Sequence, residues 1–283
     1  MLRIAIQSKG RLNEECMTLL NEAGIKLEWG KRLLLVPAKN FPIEVLFLRD
    51  DDIPQTVADG VADIGIVGEN EYAEKNKDVN IVARLGFSKC RLALAIPKSQ
   101  EYDGLNWFNN KVIATSYPVI LDKFLKDNNI IADIHVITGS VEIATGIGLS
   151  DAIFDIVSSG STLLTNQLKE VEVVMKSEAL LVTYPKLSEE KQMILDELIF
   201  RFDSVRLAED KKYVLMNVPT ANLDEIVEVI PGMRSPTVMP LAKEGWSSLH
   251  AVIREKEFWD IIGKLKNLGA EGILVVPIEK MIL

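Results

Sequence analysis

Cysteine and histidine are scarce in this chain, which has two of each among its 283 residues. Cys16 lies on the apolar face of a predicted helix, so we expect a buried free thiol and not half of a disulfide. His135 and His250 lie inside strand-like runs far apart in the sequence, without the spacing of metal ligands. We therefore expect both histidines to be structural, and we find no histidine or cysteine constellation typical of a nucleophile with its base.

Long apolar runs and an excess of basic residues are also missing. No apolar run reaches the length of a membrane span, and Met1–Ile6 enters a short strand-like run without the basic segment or cleavage site of a signal peptide. The net charge of −9 argues against nonspecific nucleic-acid binding. We expect a cytoplasmic globular protein with no nucleic-acid or membrane partner, in which an anionic substrate would need a local cluster of basic side chains.

The first two-thirds of the chain alternates short apolar runs with helical patterns, which predicts an α/β fold with parallel sheets. Small polar loops follow the predicted strands, and ligand sites of such sheets lie at the carboxyl ends of the strands. These loops are too many for one small sheet, so we expect two lobes facing each other across a cleft, like a periplasmic binding protein. The predicted strands are Leu2–Ile6, Leu33–Pro37, Ile43–Leu48, Ile64–Val67, Leu92–Ile96, Val112–Thr115, Ile134–Ile137 and Ile153–Val157.

The C-terminal part follows a β-α-β-β-α-β order, which is typical of a ferredoxin-like, ACT-like regulatory module. Its predicted strands and helices are Tyr213–Val218, Leu223–Ile230, Thr237–Leu241, Ser248–Arg254, Glu255–Leu268 and Ile273–Ile278, and a long connecting helix precedes them at Ser188–Asp210. We expect a discontinuous first lobe over residues 1–97 and 171–210, a second lobe over 98–170, and the regulatory domain over 211–283.

The segment Asp151–Leu168, DAIFDIVSSGSTLLTNQL, carries the most informative motif of the chain. An apolar strand interrupted by Asp155 leads into the loop Ser158–Thr162 and then into a helix-like segment, which is the layout of a phosphate cradle. Gly160 allows a close approach of the backbone, and the hydroxyls add donors. The same residues could form an ordinary strand-to-helix turn with Ser or Thr caps. The loop lacks the lysine and the spacing of a Walker A motif, so a P-loop NTPase is not expected.

A series of short segments matches, in order, the motifs of one known family. They are QSKGRL (Gln7–Leu12), LRDDDIP (Leu48–Pro54), DIGIVGEN (Asp63–Asn70), CRLALA (Cys90–Ala95), ATSYP (Ala114–Pro118), GSVE (Gly139–Glu142), DAIFDIVSSGSTL (Asp151–Leu163), SPTVMPLA (Ser235–Ala242) and VVPIEKM (Val275–Met281). On these segments the chain resembles the long-form ATP phosphoribosyltransferases, the first enzymes of histidine biosynthesis. The order of the segments and their coverage of nearly the whole chain make the resemblance specific.

The resemblance implies a reaction in which N1 of the adenine of ATP attacks the anomeric carbon of 5-phosphoribosyl-1-pyrophosphate (PRPP). Pyrophosphate leaves, and phosphoribosyl-ATP forms. The transition state should be similar to an oxocarbenium ion, so catalysis needs anion-binding dipoles, Mg²⁺ and alignment more than a side-chain nucleophile. The lack of a catalytic histidine or cysteine constellation fits this requirement.

By the same resemblance, the PRPP ribose 5-phosphate is held by Asp155, Ser158, Ser159, Gly160, Ser161 and Thr162. Glu142 and Asp151 face the ribose hydroxyls or the metal as catalytic residues, although either could instead be a surface acid at a helix terminus. The nucleotide and pyrophosphate side carries Lys9, Arg11, Arg49 and Tyr117, with Lys9 and Arg49 as catalytic residues. Asp50 and Asp51 could orient Arg49 or bind water around Mg²⁺, whose protein ligands stay unassigned.

The resemblance also implies feedback inhibition by histidine bound to the C-terminal domain, and assembly into dimers and hexamers. The positions that match the histidine pocket are Asn217, Met233, Ser235, Thr237, Ala251, Gly272 and Ile273. Some family members carry Asp at the position of Asn217, where the carboxylate pairs with the ammonium group of the ligand. Because Asn217 is neutral, histidine could bind more weakly here or be held by another acid.

Two other kinds of protein share this layout. Prephenate dehydratase joins a two-lobed body to a C-terminal amino-acid-sensing module, but its Thr-Arg-Phe and Glu-Ser-Arg-Pro signatures are absent here. A non-catalytic two-lobed sensor of small ligands would not need the many Arg and Lys residues at the predicted strand ends. Both alternatives would have the same two-lobed body, but neither would carry out the phosphoribosyl transfer.

Overall fold

The chain forms two compact units, each with its own sheets. The computed structural model describes residues 1–28, 34–230, 232–233 and 235–283. The first unit holds Met1–Asn21 and Ile25–Leu195, and the second holds Glu22–Gly24 and Asp196–Leu283. In the part of the chain so described, no helix has both the length and the apolar character needed to cross a bilayer.

Strands and helices alternate along the described residues. The strands are β1 (Leu2–Gln7), β2 (Leu35–Pro37), β3 (Ile43–Leu48), β4 (Ile64–Gly68), β5 (Asn80–Arg84), β6 (Cys90–Pro97), β7 (Val112–Thr115), β8 (Asp133–Val136), β9 (Ala152–Val157), β10 (Leu168–Ser177), β11 (Ala179–Thr183), β12 (Lys211–Pro219), β13 (Thr237–Pro240), β14 (Trp246–Arg254) and β15 (Glu271–Pro277). The α-helices are α1 (Arg11–Glu22), α2 (Ile53–Ala58), α3 (Glu69–Lys75), α4 (Pro118–Asp127), α5 (Ser161–Thr165), α6 (Glu189–Ala208), α7 (Leu223–Val229) and α8 (Glu255–Asn267).

The first unit contains a six-stranded sheet in the order β2-β3-β1-β4-β11-β5, and we call the elements of this sheet lobe I. Strands β3, β1 and β4 run parallel, and β11 runs antiparallel to β4. Strand β1 is largely buried, with Leu2, Ile4 and Ile6 of one face and Ala5 of the other fully inaccessible, because helices cover the sheet. Helix α2 packs so closely on β4 that a Cβ on Gly65 would lie 2.7 Å from Ile53 Cγ2. Lobe I is therefore a tightly packed α/β layer.

The second sheet of the first unit has five strands in the order β10-β6-β9-β7-β8, and we call its elements lobe II. Strands β9, β7 and β8 run parallel, whereas β6 is antiparallel to both β9 and β10. Phe108, Phe154 and Leu121 form the centre of its core and are fully buried. The two α/β lobes predicted from the alternation of strands and helices are present.

The chain leaves lobe I earlier than predicted and returns to it within the predicted stretch. The sequence pattern put the first crossing near Pro97–Gly104 and the return near Val171–Thr183, but β6 and β10 both pair within lobe II. The crossings lie just before Cys90 and just after Ser177, and they run side by side, with Ala179 N donating to Phe87 O at 3.0 Å. The sequence pattern also missed β5, an edge strand with mostly exposed side chains, and the predicted start of β2, Leu33, lies outside the described residues.

The second unit contains the predicted β-α-β-β-α-β module, which is confirmed. Its four strands form an antiparallel sheet in the order β13-β14-β12-β15, and α7 and α8 cover one face. Val214, Met216 and Val218 of β12 point into this core, so the alternating residues Leu215 and Asn217 lie on the other, open face. We call this sheet with its two helices the C-terminal module. The division between the two units falls within α6, after Leu195.

Candidate active site

The carboxyl ends of the parallel strands of both lobes meet at one place in the first unit. On lobe I these ends carry residues 8–11, 49–52 and 68–71, and on lobe II they carry residues 116–117 and 158–162. Arg11 Nη1 donates to Ser158 Oγ at 2.9 Å, and Asn70 Nδ2 donates to Tyr117 Oη at 3.2 Å. The polar loops of the two lobes therefore face each other, and we call the space between these loops the cleft.

The loop after β9, residues 158–162, presents hydroxyl groups on the lobe II side of the cleft. Ser158, Ser159, Ser161 and Thr162 are exposed, and Ser159 Oγ lies 3.0 Å from Ser161 Oγ. Gly160 has a φ of +82°, a left-handed conformation that a glycine adopts without strain. The loop turns there directly into α5. This geometry offers backbone amides and hydroxyls together to an anion. We call it the hydroxyl loop.

Arg91 of β6 contacts the backbone of the hydroxyl loop. Its Nη1 donates to Ser158 O at 3.1 Å, while Nε and Nη2 donate to the two carboxylate oxygens of Glu170 at 2.7 and 2.6 Å. A guanidinium held by a bidentate carboxylate has little freedom to move. The sequence pattern did not assign Arg91 to the site, although the CRLALA motif contains it. A basic residue at a strand end is the signal that could have found it.

Two acids of lobe II lie beside the hydroxyl loop. Burial raises the pKa of Asp155 to about 6, and the negative charge of Glu142 adds to the rise, while the hydrogen bond from Ile156 N at 2.8 Å lowers it. Glu142 lies in a short 3-10 turn, Val141–Ile143, that follows Gly139 and Ser140, both in the left-handed region. The structure therefore brings together two of the three predicted acids, in a place suited to hydroxyl groups that donate hydrogen bonds.

The third predicted acid, Asp151, is not in the cleft. It precedes the amino end of β9, where Val112 N donates to its Oδ2 at 2.9 Å and Lys111 Nζ lies 3.8 Å from its Oδ1. The six residues of β9 separate it from the hydroxyl loop by about 20 Å at the usual rise of a strand. The predicted catalytic role of Asp151 is therefore contradicted by its position, and its contacts are those of a surface acid that fixes a strand end.

Lys9 and Arg49 lie on the lobe I side of the cleft, just after the neighbouring strands β1 and β3. Gln7 and Leu48 are register partners, so the two basic residues follow adjacent strand ends. Arg49 is 78% exposed, and its Nε lies 3.3 Å from Asp51 Oδ1, which orients the guanidinium without burying it. Asp50 precedes Asp51 in the same turn. The predicted pair of Lys9 and Arg49 is thus placed together and open to an anionic ligand.

A buried polar group joins the two lobes at the base of the cleft. Tyr117 is 7% exposed, and its hydroxyl is hydrogen bonded to Asn70 and to the carboxyl group of Glu71. Burial, together with the charge of Asp50, raises the pKa of Glu71 to about 7. Burial and the charge of Glu71 also raise the pKa of Tyr117, which stays a neutral phenol. Asn70 and Glu71 were missed as site residues, although the GEN motif follows directly after β4.

The predicted histidine-pocket residues of the C-terminal module lie on both faces of its sheet. Asn217, Thr237 and Gly272 lie on the open face, where a Cβ on Gly272 would lie 3.2 Å from Asn217 Nδ2. Ala251 is 6% exposed in the core beneath the helices, and Ile273 packs on the same core. Met233 and Ser235 lie between α7 and β13. The sheet therefore separates Ala251 from Asn217 and Thr237, whereas Gly272 and Ile273 line one cavity beside α8, and the histidine pocket stays a prediction.

The described residues offer the cleft several acids but no metal centre of their own. Among them, no group of three or more His, Cys, Asp or Glu side chains is arranged to hold a metal ion.

Comparison with known proteins agrees with the architecture of both units. The family model described as ATP phosphoribosyltransferase (HisG) matches residues 49–204, and the model described as HisG, C-terminal domain, matches residues 208–280. Proteins named ATP phosphoribosyltransferase from Phocaeicola vulgatus and Bacteroides thetaiotaomicron are 71% and 70% identical to the chain, each aligned over 100% of both sequences.

A solved structure gives the same assignment. The ATP phosphoribosyl transferase (HisG:HisZ) complex from Thermotoga maritima has a chain that is 30% identical, with a TM-score of 0.61, covering 72% of this chain and 99% of its own. These findings leave no room for the dehydratase or sensor alternatives. The chain belongs to the ATP phosphoribosyltransferase family, whose enzymes carry out the first step of histidine biosynthesis.

Proposed function

We propose that the cleft is where N1 of the ATP adenine attacks the anomeric carbon of PRPP, with the hydroxyl loop holding the 5-phosphate. The observation that carries the proposal is the meeting of the hydroxyl loop with the basic end of lobe I, joined by Arg11 and Ser158 at 2.9 Å. Amides and hydroxyls on one side and cations on the other suit a substrate with phosphates at both ends.

Within this arrangement each side of the cleft has a separate task. Lys9 and Arg49 bind the pyrophosphate group and stabilise the charge that develops on it as the bond to the anomeric carbon breaks. Asp155 and Glu142 accept hydrogen bonds from the ribose hydroxyls and place negative charge near the cationic ring of the transition state. The protein supplies alignment and electrostatics, and the adenine itself is the nucleophile. Mg²⁺ would arrive with the substrate phosphates.

The C-terminal module is proposed to bind histidine and to inhibit the reaction. Asn217, Thr237 and Gly272 on its open face are the candidates for direct contact, while Ala251 and Ile273 act through packing. Assembly into dimers or hexamers is proposed with it, since the Thermotoga maritima relative is described as part of a HisG:HisZ complex. The cytoplasmic location stays a prediction.

Two aspartates of one strand provide the test of the cleft. Asp155→Asn removes an acid beside the hydroxyl loop, and Asp151→Asn makes the same change at the other end of β9. We expect Asp155→Asn to lower kcat/KM for PRPP by roughly 10- to 100-fold, the effect of losing one charged hydrogen bond, and to leave KM for ATP nearly unchanged. Asp151→Asn should lower only the thermal midpoint.

The assay is release of pyrophosphate from ATP and PRPP with Mg²⁺, followed with and without histidine. Equal kinetic losses in the two variants would contradict the proposed position of the cleft. Normal kinetics in Asp155→Asn would remove this acid from the ribose site.

A further inference from the structure

Helix α3 of lobe I contacts lobe II through two side chains that lie one turn apart. At its amino end, Asn70 Nδ2 donates to Tyr117 Oη at 3.2 Å. One turn later, the carboxylate of Glu74 accepts hydrogen bonds from Val119 N and Ile120 N, at 3.0 Å each, at the start of α4. Both contacts involve the same short stretch of lobe II. Helix α3 therefore contacts lobe II on both sides of Pro118.

Glu74 takes the place of a cap for α4. The first amides of a helix lack partners within it, and Pro118 at the first turn has no N–H to offer. Val119 and Ile120 are the next donors, and each donates to one oxygen of Glu74. The Glu74 residue is only 8% exposed, so these charge-assisted bonds compete little with water. Helix α4 has its cap on the other lobe, and the cap is lost whenever the lobes separate.

We propose that Glu74 is a positioning residue for the phosphoribosyl transfer, holding the amino end of α4, and with it Tyr117, where the two sides of the cleft meet. The inference rests on the cleft being the reaction site. Tyr117 directly precedes α4 and also contacts Asn70 of α3. Loss of the Glu74 contact leaves Asn70 as the one of these two side chains that still joins α3 to lobe II. Lys9 and Arg49 on lobe I would then lose their alignment with the hydroxyl loop on lobe II.

The test compares Glu74→Gln with Asp63→Asn. The glutamine side chain keeps one acceptor oxygen and the shape of the glutamate, but it loses the charge. Asp63 is a matched control because it is also a buried acid, 7% exposed. It accepts hydrogen bonds from Arg3 N at 2.8 Å and from Lys191 Nζ at 2.7 Å, and both donors lie away from the cleft. Assays are run well below the unfolding temperature of each variant, so that all the enzyme is folded.

We expect Glu74→Gln to lower kcat by roughly 10- to 100-fold, as for loss of one charged hydrogen bond in the aligned state. Hydrogen exchange of the Val119 and Ile120 amides should become faster in the same variant. Asp63→Asn should lower the thermal midpoint and leave kcat and both amides unchanged. Glu74→Ala deletes both acceptors and should be more severe; if it fails to fold, the glutamine variant carries the test.

Three results would overturn the inference. Normal kcat in Glu74→Gln despite faster amide exchange would make the contact purely structural. Unchanged exchange would show that the contact does not form in solution. An equal loss of kcat in Glu74→Gln and Asp63→Asn would assign the effect to general destabilisation. Asp155→Asn in the same assay reports on the cleft itself, so failure of the cleft proposal is seen separately.

Discussion

The hydroxyl loop depends on Gly160, and replacing this residue gives a quantitative prediction. Gly160 has a φ of +82°, where an L-residue costs about 1–2 kcal/mol more than glycine. An added Cβ would lie 3.9 Å from Val157 Cγ1, an ordinary contact, so Gly160→Ala adds backbone strain and no clash. We expect the free energy of unfolding to fall by about 1–2 kcal/mol, a shift of a few degrees in the thermal midpoint.

Gly148 allows strain to be separated from binding. It has a φ of +75°, and an added Cβ would meet nothing within 4 Å. It lies in the loop that leads to the amino end of β9, at the far end of the strand from the hydroxyl loop. Gly148→Ala should therefore lose the same stability as Gly160→Ala while leaving the cleft intact. Differential scanning calorimetry of both variants checks this equality.

The two variants should differ in their kinetics with PRPP. A methyl group at position 160 stands where the backbone approaches the 5-phosphate, so at least one amide donor to the phosphate is lost. Such a bond to a charged group is worth about 1.5–3 kcal/mol, which is roughly a 10- to 100-fold rise in KM for PRPP. Gly148→Ala should show the KM of the unmodified enzyme. An unchanged KM in Gly160→Ala, or an equal rise in both variants, would refute the assignment of the phosphate site.

Other predictions concern pH, the basic cluster and regulation. Asp155, whose pKa is raised to about 6, must be ionised to accept ribose hydroxyls, so KM for PRPP should rise as pH falls through 6. The 5-phosphate also titrates near pH 6, and Asp155→Asn, which lacks the titration of Asp155, should show a shallower profile; identical profiles would exclude Asp155. Arg49→Ala should lower kcat/KM at least about tenfold with little change in thermal midpoint, because Arg49 is 78% exposed; unaltered initial rates would contradict this. Gly272→Val crowds Asn217 and should weaken histidine inhibition by roughly 5- to 150-fold without changing the uninhibited rate; dose–response curves that overlay those of the unmodified enzyme would refute it.

Local patterns in the sequence predicted the central strands of lobe I. The apolar runs that became β1, β3 and β4 stand between polar loops, and their alternation with helices was enough to predict parallel strands. Strand β5 was missed because its apolar run between Asn80 and Arg84 is short and most of its side chains face solvent. The first crossing was misplaced because β6, which the sequence pattern assigned to lobe I, pairs with β10 across more than seventy residues of chain, and no local signal marks such a pairing.

The site shows the same division between local and long-range information. The hydroxyl loop was identified because its small residues follow a strand directly and precede a helix. Asp151 and Asp155 lie in the same motif, and only the length and direction of β9 show that Asp151 is remote from the hydroxyl loop. The role of Glu74 could not be predicted from the sequence, because its partners Val119 and Ile120 belong to the other lobe. A residue whose role depends on backbone amides of a distant helix leaves no pattern of its own.

The side-by-side crossings also fix an order in which the molecule can be built. In lobe I, β11 lies between β4 and β5, so β5 has no place in the sheet until residues 179–183 have left the ribosome. Lobe II is one continuous segment and has all its strands once Ser177 is made. Lobe II can thus fold before β11 completes the sheet of lobe I. Because non-local pairing slows folding, we expect the edge of β4 to stay unpaired, and open to other chains, for longest in a nascent chain of this enzyme.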